Sequence, residues 1–407
     1  MDEQNKLQNL STEFKIFLTL KSFMTFGGGF FYVLLPWMII SLTGSPFLTG
    51  AAEGIVAIPL LTSFIIGSLI DKLKNKVNAF AFSVLGIAFF SSFLLFSLYT
   101  GVTYLVIIAI FVPTLIISYL EDIQATISSF FDKILLSREN LKKGVSLRRG
   151  TRSLTNIMGI VIFALFISFG LRVSIYFLMV IYLLSFFIFL TIRKSLSTKK
   201  SQNDSTQTAR PFYGLTRFLS FPLMKELTFI AIVGNFFFGM IIVGFTVMIK
   251  IYFGLGGAYL SYILGIFAIG DGVGSLLTAK IRSARGSIVA LSMIILGILF
   301  MAIYLISSSH LYYILFPVVF LIGLIPGITN VLIYGFMLKN TDEKIIGSTF
   351  GSFSSLFGGV TFLSSMISGG ILVYFTAPNL FLLMGVSILI VGIISRIIFR
   401  RLNAVSL

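Results

Sequence analysis

Apolar blocks long enough to cross a membrane recur almost without pause along this chain, and no other feature constrains its fold as strongly. About 20 apolar residues suffice for a helix to span roughly 30 Å of hydrocarbon. Blocks of this kind run from Phe14 to Ile40, Phe47 to Ile70, Val77 to Leu98, from Val102 onward, Leu154 to Phe169 and Val173 to Ile192. Six more run from Leu227 to Ile249, Gly257 to Ala279, Ile288 to Ser307, Leu311 to Leu332, Ile346 to Phe375 and Leu380 to Phe399. Only 11% of the 407 residues are charged and 57% are hydrophobic, whereas a soluble domain carries about 25% charged residues. Too little polar surface remains to face water. Lipid removes the problem and requires every backbone N–H and C=O to bond within the segment, which helices do. The sequence therefore predicts an all-α membrane protein with 12 transmembrane helices.

The charges agree with this partition. The net charge is +16, a balance that in a soluble chain points to nucleic acid. Here the basic residues fall in short runs between apolar blocks, so no nucleic-acid partner is expected. With both termini in the cytoplasm, the inner side receives every one of the 30 Lys and Arg residues except Arg172 and Lys250. That asymmetry is the positive-inside rule, and a missing span would scramble it. The expected location is the plasma membrane, multi-pass, with both termini cytoplasmic. Asp2, Glu3 and Lys6 precede the first block without a small-residue cleavage site, so no cleaved signal peptide is predicted.

One polar stretch, Arg193 to Lys225, divides the chain nearly in half. The expected domains are a six-helix bundle over residues 1–195, a cytoplasmic linker over 196–225 and a second six-helix bundle over 226–407. Short repeats support two related halves. Gly67-Ser68-Leu69-Ile70 closes the second block and Gly274-Ser275-Leu276-Leu277 closes the eighth. Gly144-Val145-Ser146 precedes the fifth as Gly347-Ser348-Thr349 precedes the eleventh. Both matches are offset by about half the chain.

Two six-span halves, a cytoplasmic linker and the loop after the second span resemble the major facilitator superfamily. Its signature there reads roughly G-x-x-x-D-x-x-G/x-R/K-[RK], and Gly67, Asp71, Lys74 and Lys76 occupy comparable places. The copy after the eighth span keeps Gly274 but has Thr278 in place of the acid. Within the superfamily the overall look is of the drug and macrolide exporters, although the fifth span keeps Gly159 without their glycine-proline pair. The resemblance implies pseudo-repeated bundles that rock around a central site, as secondary transporters do, and substrate contacts on spans one, four, seven and ten. It also implies that Asp71 works at the inner gate. A carboxylate there can face the N–H groups and positive dipole at the start of span eleven, near Ile346 to Thr349; Arg148, Arg149 and Arg152 are alternative partners, and a solvated loop acid is the plainer reading.

Ionisable residues inside membrane spans are costly and usually functional. Glu53 and Asp271 fall inside predicted spans. Each is read either as a proton-coupling or substrate group or as a static polar contact between helices. Glu121 and Asp122 sit toward the inner end of span four, about 12 Å below Pro113 at 1.5 Å per residue. An ion-pair network with Arg148, Arg149 and Arg152 is one reading of that pair; attraction of a cationic solute or proton uptake is the other. Asn235, Asn330 and Tyr32, on spans seven, ten and one, are placed to bond a substrate, or in the case of the amides a neighbouring helix. Gly347, Gly351, Ser355 and Gly359 recur every fourth residue on span eleven, and Gly50 with Gly54 and Gly270 with Gly274 do likewise; small-x-x-x-small faces let helices approach closely. Gly27-Gly28-Gly29 marks a hinge, a site of close substrate approach or a packing contact.

The chain has no cysteine and one histidine, His310. No thiolate site is possible and no metal or other cofactor is expected. No Gly-x4-Gly-Lys-Ser/Thr and no Gly-x-Ser-x-Gly occurs, so nothing points to ATP hydrolysis or a serine nucleophile. The expectation is a secondary transporter and not an enzyme: a monomer in membrane lipid, exporting small amphipathic or apolar molecules, with proton coupling as one arm. Uptake of a nutrient or lipid-like solute is the alternative within transport. A receptor or scaffold that moves nothing is the alternative outside it.

Overall fold

A computed structural model describes residues 10–71, 73, 75–100, 103–136, 138–198, 224–278, 286–309, 312–339 and 346–401. The central linker and His310 lie almost wholly or wholly outside them. Among the described residues eleven helices are long and apolar enough to cross a membrane, and Pro46–Leu61 is a shorter apolar helix. Together they make the twelve-span, all-helical fold that the apolar blocks predict.

In chain order the helices are α1 Thr12–Thr43, α2 Pro46–Leu61, α3 Ser63–Asp71, α4 Lys76–Phe96, α5 Thr103–Leu135, α6 Arg138–Ile167 and α7 Leu171–Thr198. The chain continues with α8 Met224–Val247, α9 Gly257–Thr278, α10 Gly286–Ser308, α11 Leu315–Lys339, α12 Ile346–Tyr374 and α13 Ala377–Arg401. Local chemistry sets several ends. The Ser11 hydroxyl accepts from Phe14 N at 3.2 Å and starts α1, and Asn75 accepts from Asn78 N at 2.9 Å to start α4. Gly44, with φ at +65°, turns α1 into α2, where its N–H still reaches Ile40 O at 3.0 Å. A left-handed residue in that place favours glycine. Ser45 then caps α2 through Leu48 N, with Pro46 in the first helical turn, where its missing N–H costs nothing.

Two boundaries differ from the sequence expectation. The second apolar block is not one helix: it divides at Thr62 into α2 and α3, just past Pro59. Proline removes one backbone donor and clashes with the preceding turn. Beyond the division the Thr62 carbonyl accepts from Ile65 and Ile66, and its hydroxyl lies 3.2 Å from the Tyr119 hydroxyl. The fifth span begins far earlier than Leu154, because the basic run before it is already helical from Arg138. Arg148, Arg149 and Arg152 are thus helix residues and not loop charges.

Packing divides the chain into two units, Met1–Leu34 with Thr62–Thr208, and Leu35–Leu61 with Ala209–Leu407. The first has an aromatic core. Phe17 meets Phe131 edge-on at 5.8 Å, and Phe80 lies 5.3 Å from Phe131 and 5.2 Å from Phe189. The second is held by glycine-mediated approaches of α9 to α11, α10 to α13 and α2 to α12. Side chains at Gly270, Gly274, Gly323 or Gly327 would each run into a backbone carbonyl of the partner helix, α9 or α11. Gly50 meets the Ser365 and Gly369 backbone in the same way.

Candidate functional site

The three consecutive glycines of α1 serve three neighbours. A Cβ at Gly27 would sit 3.1 Å from the Tyr182 ring on α7. One at Gly29 would run into the Asn156 carbonyl on α6, while Gly159 of α6 meets the Phe26 backbone in return. Gly28 faces Glu121 of α5, 3.7 Å from the place a Cβ would occupy. Close packing is therefore what this run provides. It brings α1 near α5, α6 and α7 with room left between them.

That room is a cavity of about 540 Å³ within the first unit. Its walls follow helical spacing: Lys21, Thr25, Gly28 and Tyr32 from α1, Glu121 and Gln124 from α5, Arg148, Arg152 and Asn156 from α6, and Tyr182 from α7. Residues four apart share one helix face, which is how each helix presents several polar groups to one space. Such volumes are usual for small-molecule sites, about 300–1,000 Å³. Tyr182 donates its hydroxyl to Glu121 Oε1 at 2.9 Å. Arg148 pairs with Asp132 at 2.7 Å, and Asp132 is only 3% exposed. The Arg148 Nε, the second Asp132 oxygen and the Gln124 side-chain nitrogen are buried with no hydrogen-bond partner. Arg152 lies within Coulombic range of both Lys21 and Glu121.

A second, smaller cavity of about 240 Å³ lies within the second unit. Asn235 of α8, Asp271 of α9, Ser292 of α10 and Thr329 with Asn330 of α11 supply its polar groups, set among Phe238, Phe267 and Pro326. The Asn235 amide donates to Ala231 O at 2.8 Å and the Thr329 hydroxyl to Ile325 O at 3.1 Å, each within its own helix. Among the described residues of this lining Asp271 is the lone ionisable group.

The candidates chosen from sequence thus fall into three groups. Tyr32 and Glu121 meet in the first cavity, and Asn235, Asp271 and Asn330 meet in the second. Glu53 and Asp122 line neither. Glu53 is 7% exposed on the helix packed against α12, and Asp122, about 100° round α5 from Glu121, keeps a buried carboxylate oxygen without a partner. Of the loop motif, Gly67 has no neighbour that would obstruct a Cβ, and Lys76 stands 5.0 Å over the Phe130 ring. The Asp71 side chain and Lys74 lie outside the described residues. On α12 the small face is close-packed at Gly359, against Leu61, with Ser355 buried. The surroundings of Gly347 and Gly351 lie outside the described residues.

Sequence reasoning missed Asp132, Gln124 and Lys21. Arg148, one of the arginines read as a possible partner for Glu121 and Asp122, pairs with Asp132. A visible signal was available: Arg148, Arg152 and Asn156 are spaced i, i+4, i+8, and Glu121, Gln124 and Ser128 nearly so, which marks one polar face on each helix.

The family profile described as Major Facilitator Superfamily matches residues 17–365. Solved structures share the fold at low identity. The nucleoside transporter NupG gives a TM-score of 0.69 at 14% identity, covering 96% of this chain and 100% of that one. A bacterial homologue of the iron transporter ferroportin in an inward-facing state gives 0.72 at 13%, covering 97% and 99%. A mutant of the peptide transporter POT gives 0.70 at 15%, covering 96% and 95%. No curated protein matches the chain in sequence.

Proposed function

The chain belongs to the major facilitator superfamily, and from that premise we propose that the cavity of its first unit holds a small amphipathic solute on its way across the membrane. The protein is a multi-pass secondary transporter. The single observation that carries the finer reading is the 540 Å³ polar cavity enclosed by α1, α5, α6 and α7. Charged groups inside a membrane protein pair with one another or face an interior cavity; here Arg148 pairs with Asp132, and Lys21, Glu121 and Arg152 line the cavity. A wholly apolar solute would leave those groups without partners, so the amphipathic class is the better match.

In this reading the solute moves by alternating access, with Glu121, Tyr32 and the cations of α1 and α6 in contact with it. Asp271 with Asn235 and Asn330 supplies the proton-coupling arm. Asp71 with Gly67, Lys74 and Lys76 works at the inner gate. Outward transport across the plasma membrane follows the resemblance to drug and macrolide exporters, and cytoplasmic termini follow the distribution of Lys and Arg. The test is counterflow in proteoliposomes preloaded with candidate solutes from either side. Solute exchange that requires Glu121 and Tyr182 supports the proposal. Exchange that is undiminished in Glu121→Gln and Tyr182→Phe variants would remove the first cavity from the path.

A further inference from the structure

We infer that the transported solute is an organic anion whose carboxylate or phosphate group is held by Arg152, Lys21 and Gln124; this rests on reading the first-unit cavity as the solute site. The argument is an inventory of donors and acceptors. Lys and Arg side chains carry three and five N–H donors and accept nothing. Lys21, Arg148 and Arg152 face this cavity, against one facing carboxylate, Glu121. Glu121 already has one oxygen engaged by Tyr182, and Asp132 takes up the charge of Arg148 from behind. Among the described residues neither Lys21 nor Arg152 has a carboxylate within ion-pair distance.

The neutral groups repeat the pattern. Gln124 is 2% exposed, lines the cavity, and its amide nitrogen has no acceptor. The hydroxyls of Ser22 and Thr151 donate to carbonyls of their own helices, at 2.9 and 3.0 Å, and are spent. What the cavity lacks is an acceptor-only, negatively charged group. An unmet buried donor is costly, so a ligand that satisfies these donors gains by it. Carboxylate and phosphate match the planar fork of Arg152 in two parallel hydrogen bonds. A cationic solute would meet like charge and leave every donor unmet. Solute anions and anionic lipid headgroups share this chemistry, and the proposal is for the solute.

The test uses full-length protein in uncharged detergent and four probes of one chain length: hexanoate, hexyl phosphate, hexanol and hexyltrimethylammonium. Thermal midpoint and calorimetric affinity are measured for each, since a ligand of the folded state raises its stability by mass action. Hexanoate or hexyl phosphate should stabilise, with the affinity falling at least about tenfold in Arg152→Gln and in Lys21→Gln, the loss expected for one charged hydrogen bond. Arg152→Lys should restore part of it, and Arg172→Gln, in the first turn of α7, should change nothing. The unliganded midpoint and elution profile of each variant separate lost binding from lost folding. Equal stabilisation by hexanol or hexyltrimethylammonium, insensitive to Arg152→Gln, overturns the anion class, and continued counterflow of those probes would leave the transporter reading intact. Silence from all four probes also overturns it. Abolition of the hexanoate response in vesicles containing phosphatidylglycerol, but not in phosphatidylcholine alone, assigns the cavity to a lipid headgroup and overturns the solute. Arg152-dependent binding without exchange of any bound probe across proteoliposomes would keep the anion site and sink the transport reading of it.

Discussion

The two units each hold a polar cavity, but of opposite electrical character. Three cations and one carboxylate line the first; one carboxylate, two amides and two hydroxyls line the second. The helices around the first are less apolar, α6 above all with its basic run, and the two cavities also differ in how each manages a charge within a membrane span. The first pairs Arg148 with Asp132 and bonds Glu121 to Tyr182, while among the described residues Lys21 and Arg152 have no carboxylate at ion-pair distance. The second sets Asp271 among neutral polar groups whose hydrogens are partly committed to their own helices. Pairing holds charge in place, whereas a lone acid among amides is left available to a ligand or a proton. A cavity lined by more cationic than acidic side chains suits a solute head, and a single available acid suits a coupling ion.

The largest test of that contrast is to break the pair that anchors the first cavity. Arg148→Leu leaves Asp132 buried without its partner, and removing one member of a buried ion pair costs about 3–5 kcal/mol. The thermal midpoint should fall sharply and recover in the double variant Arg148→Leu with Asp132→Leu, because two apolar groups leave nothing unpaired. No recovery would mean that Arg148 stabilises the unit by some route other than Asp132. Next in size is Gly327→Leu. A side chain there drives into the Asp271 backbone carbonyl, and overpacking of this kind costs typically about 1–3 kcal/mol. The second cavity should lose stability and shape while the Arg152-dependent affinity of the first is kept. A variant as stable as the parent would show that α9 and α11 can part without cost.

The contrast also explains what the sequence made legible. The twelve spans were visible because hydrocarbon thickness sets a length that few other structures need. Asp271, Asn235 and Asn330 were visible because polar groups stand out amid the apolar residues of a span. Lys21, Arg148 and Arg152 were easier to pass over: they belong to the basic runs at span ends that the positive-inside rule accounts for. A residue that helps to orient a helix in the membrane and a residue that binds a solute look alike until helix length is known. The extension of α6 back to Arg138 is what sets Arg148 and Arg152 on a helix face that lines the cavity. The break at Thr62 was hidden because Pro59 alone does not say whether a span bends or divides, and Asp132 because its partner stands on another helix. The triple glycine was seen, but its three meanings depend on which neighbour each residue faces.

A smaller effect comes from Tyr182→Phe, which deletes only the bond to Glu121 Oε1. Side-chain hydrogen bonds between membrane helices contribute about 0.6 kcal/mol on average and up to about 1.7. A midpoint shift of a degree or two is expected, together with altered hexanoate affinity, since Glu121 is released toward the cavity. Unchanged affinity would mean that Glu121 does not face the ligand and that the first cavity is more positive than its residue list suggests.

The smallest effect, and the sharpest test of a division of labour, is expected from Asp271→Asn. The change keeps size and removes charge in the second cavity alone. Because Asp271 lines the second cavity and Lys21, Gln124 and Arg152 line the first, its effect on equilibrium binding of hexanoate should be additive and within about twofold of unity. Proton-driven accumulation in proteoliposomes should fall far more than that, since the lone titrating group of the second cavity is gone. Binding held and accumulation lost would assign solute and coupling to separate cavities. A loss of binding as deep as that of Arg152→Gln would break the comparison, because Asp271 would then act on the ligand itself, and charge of both signs would be needed to hold it.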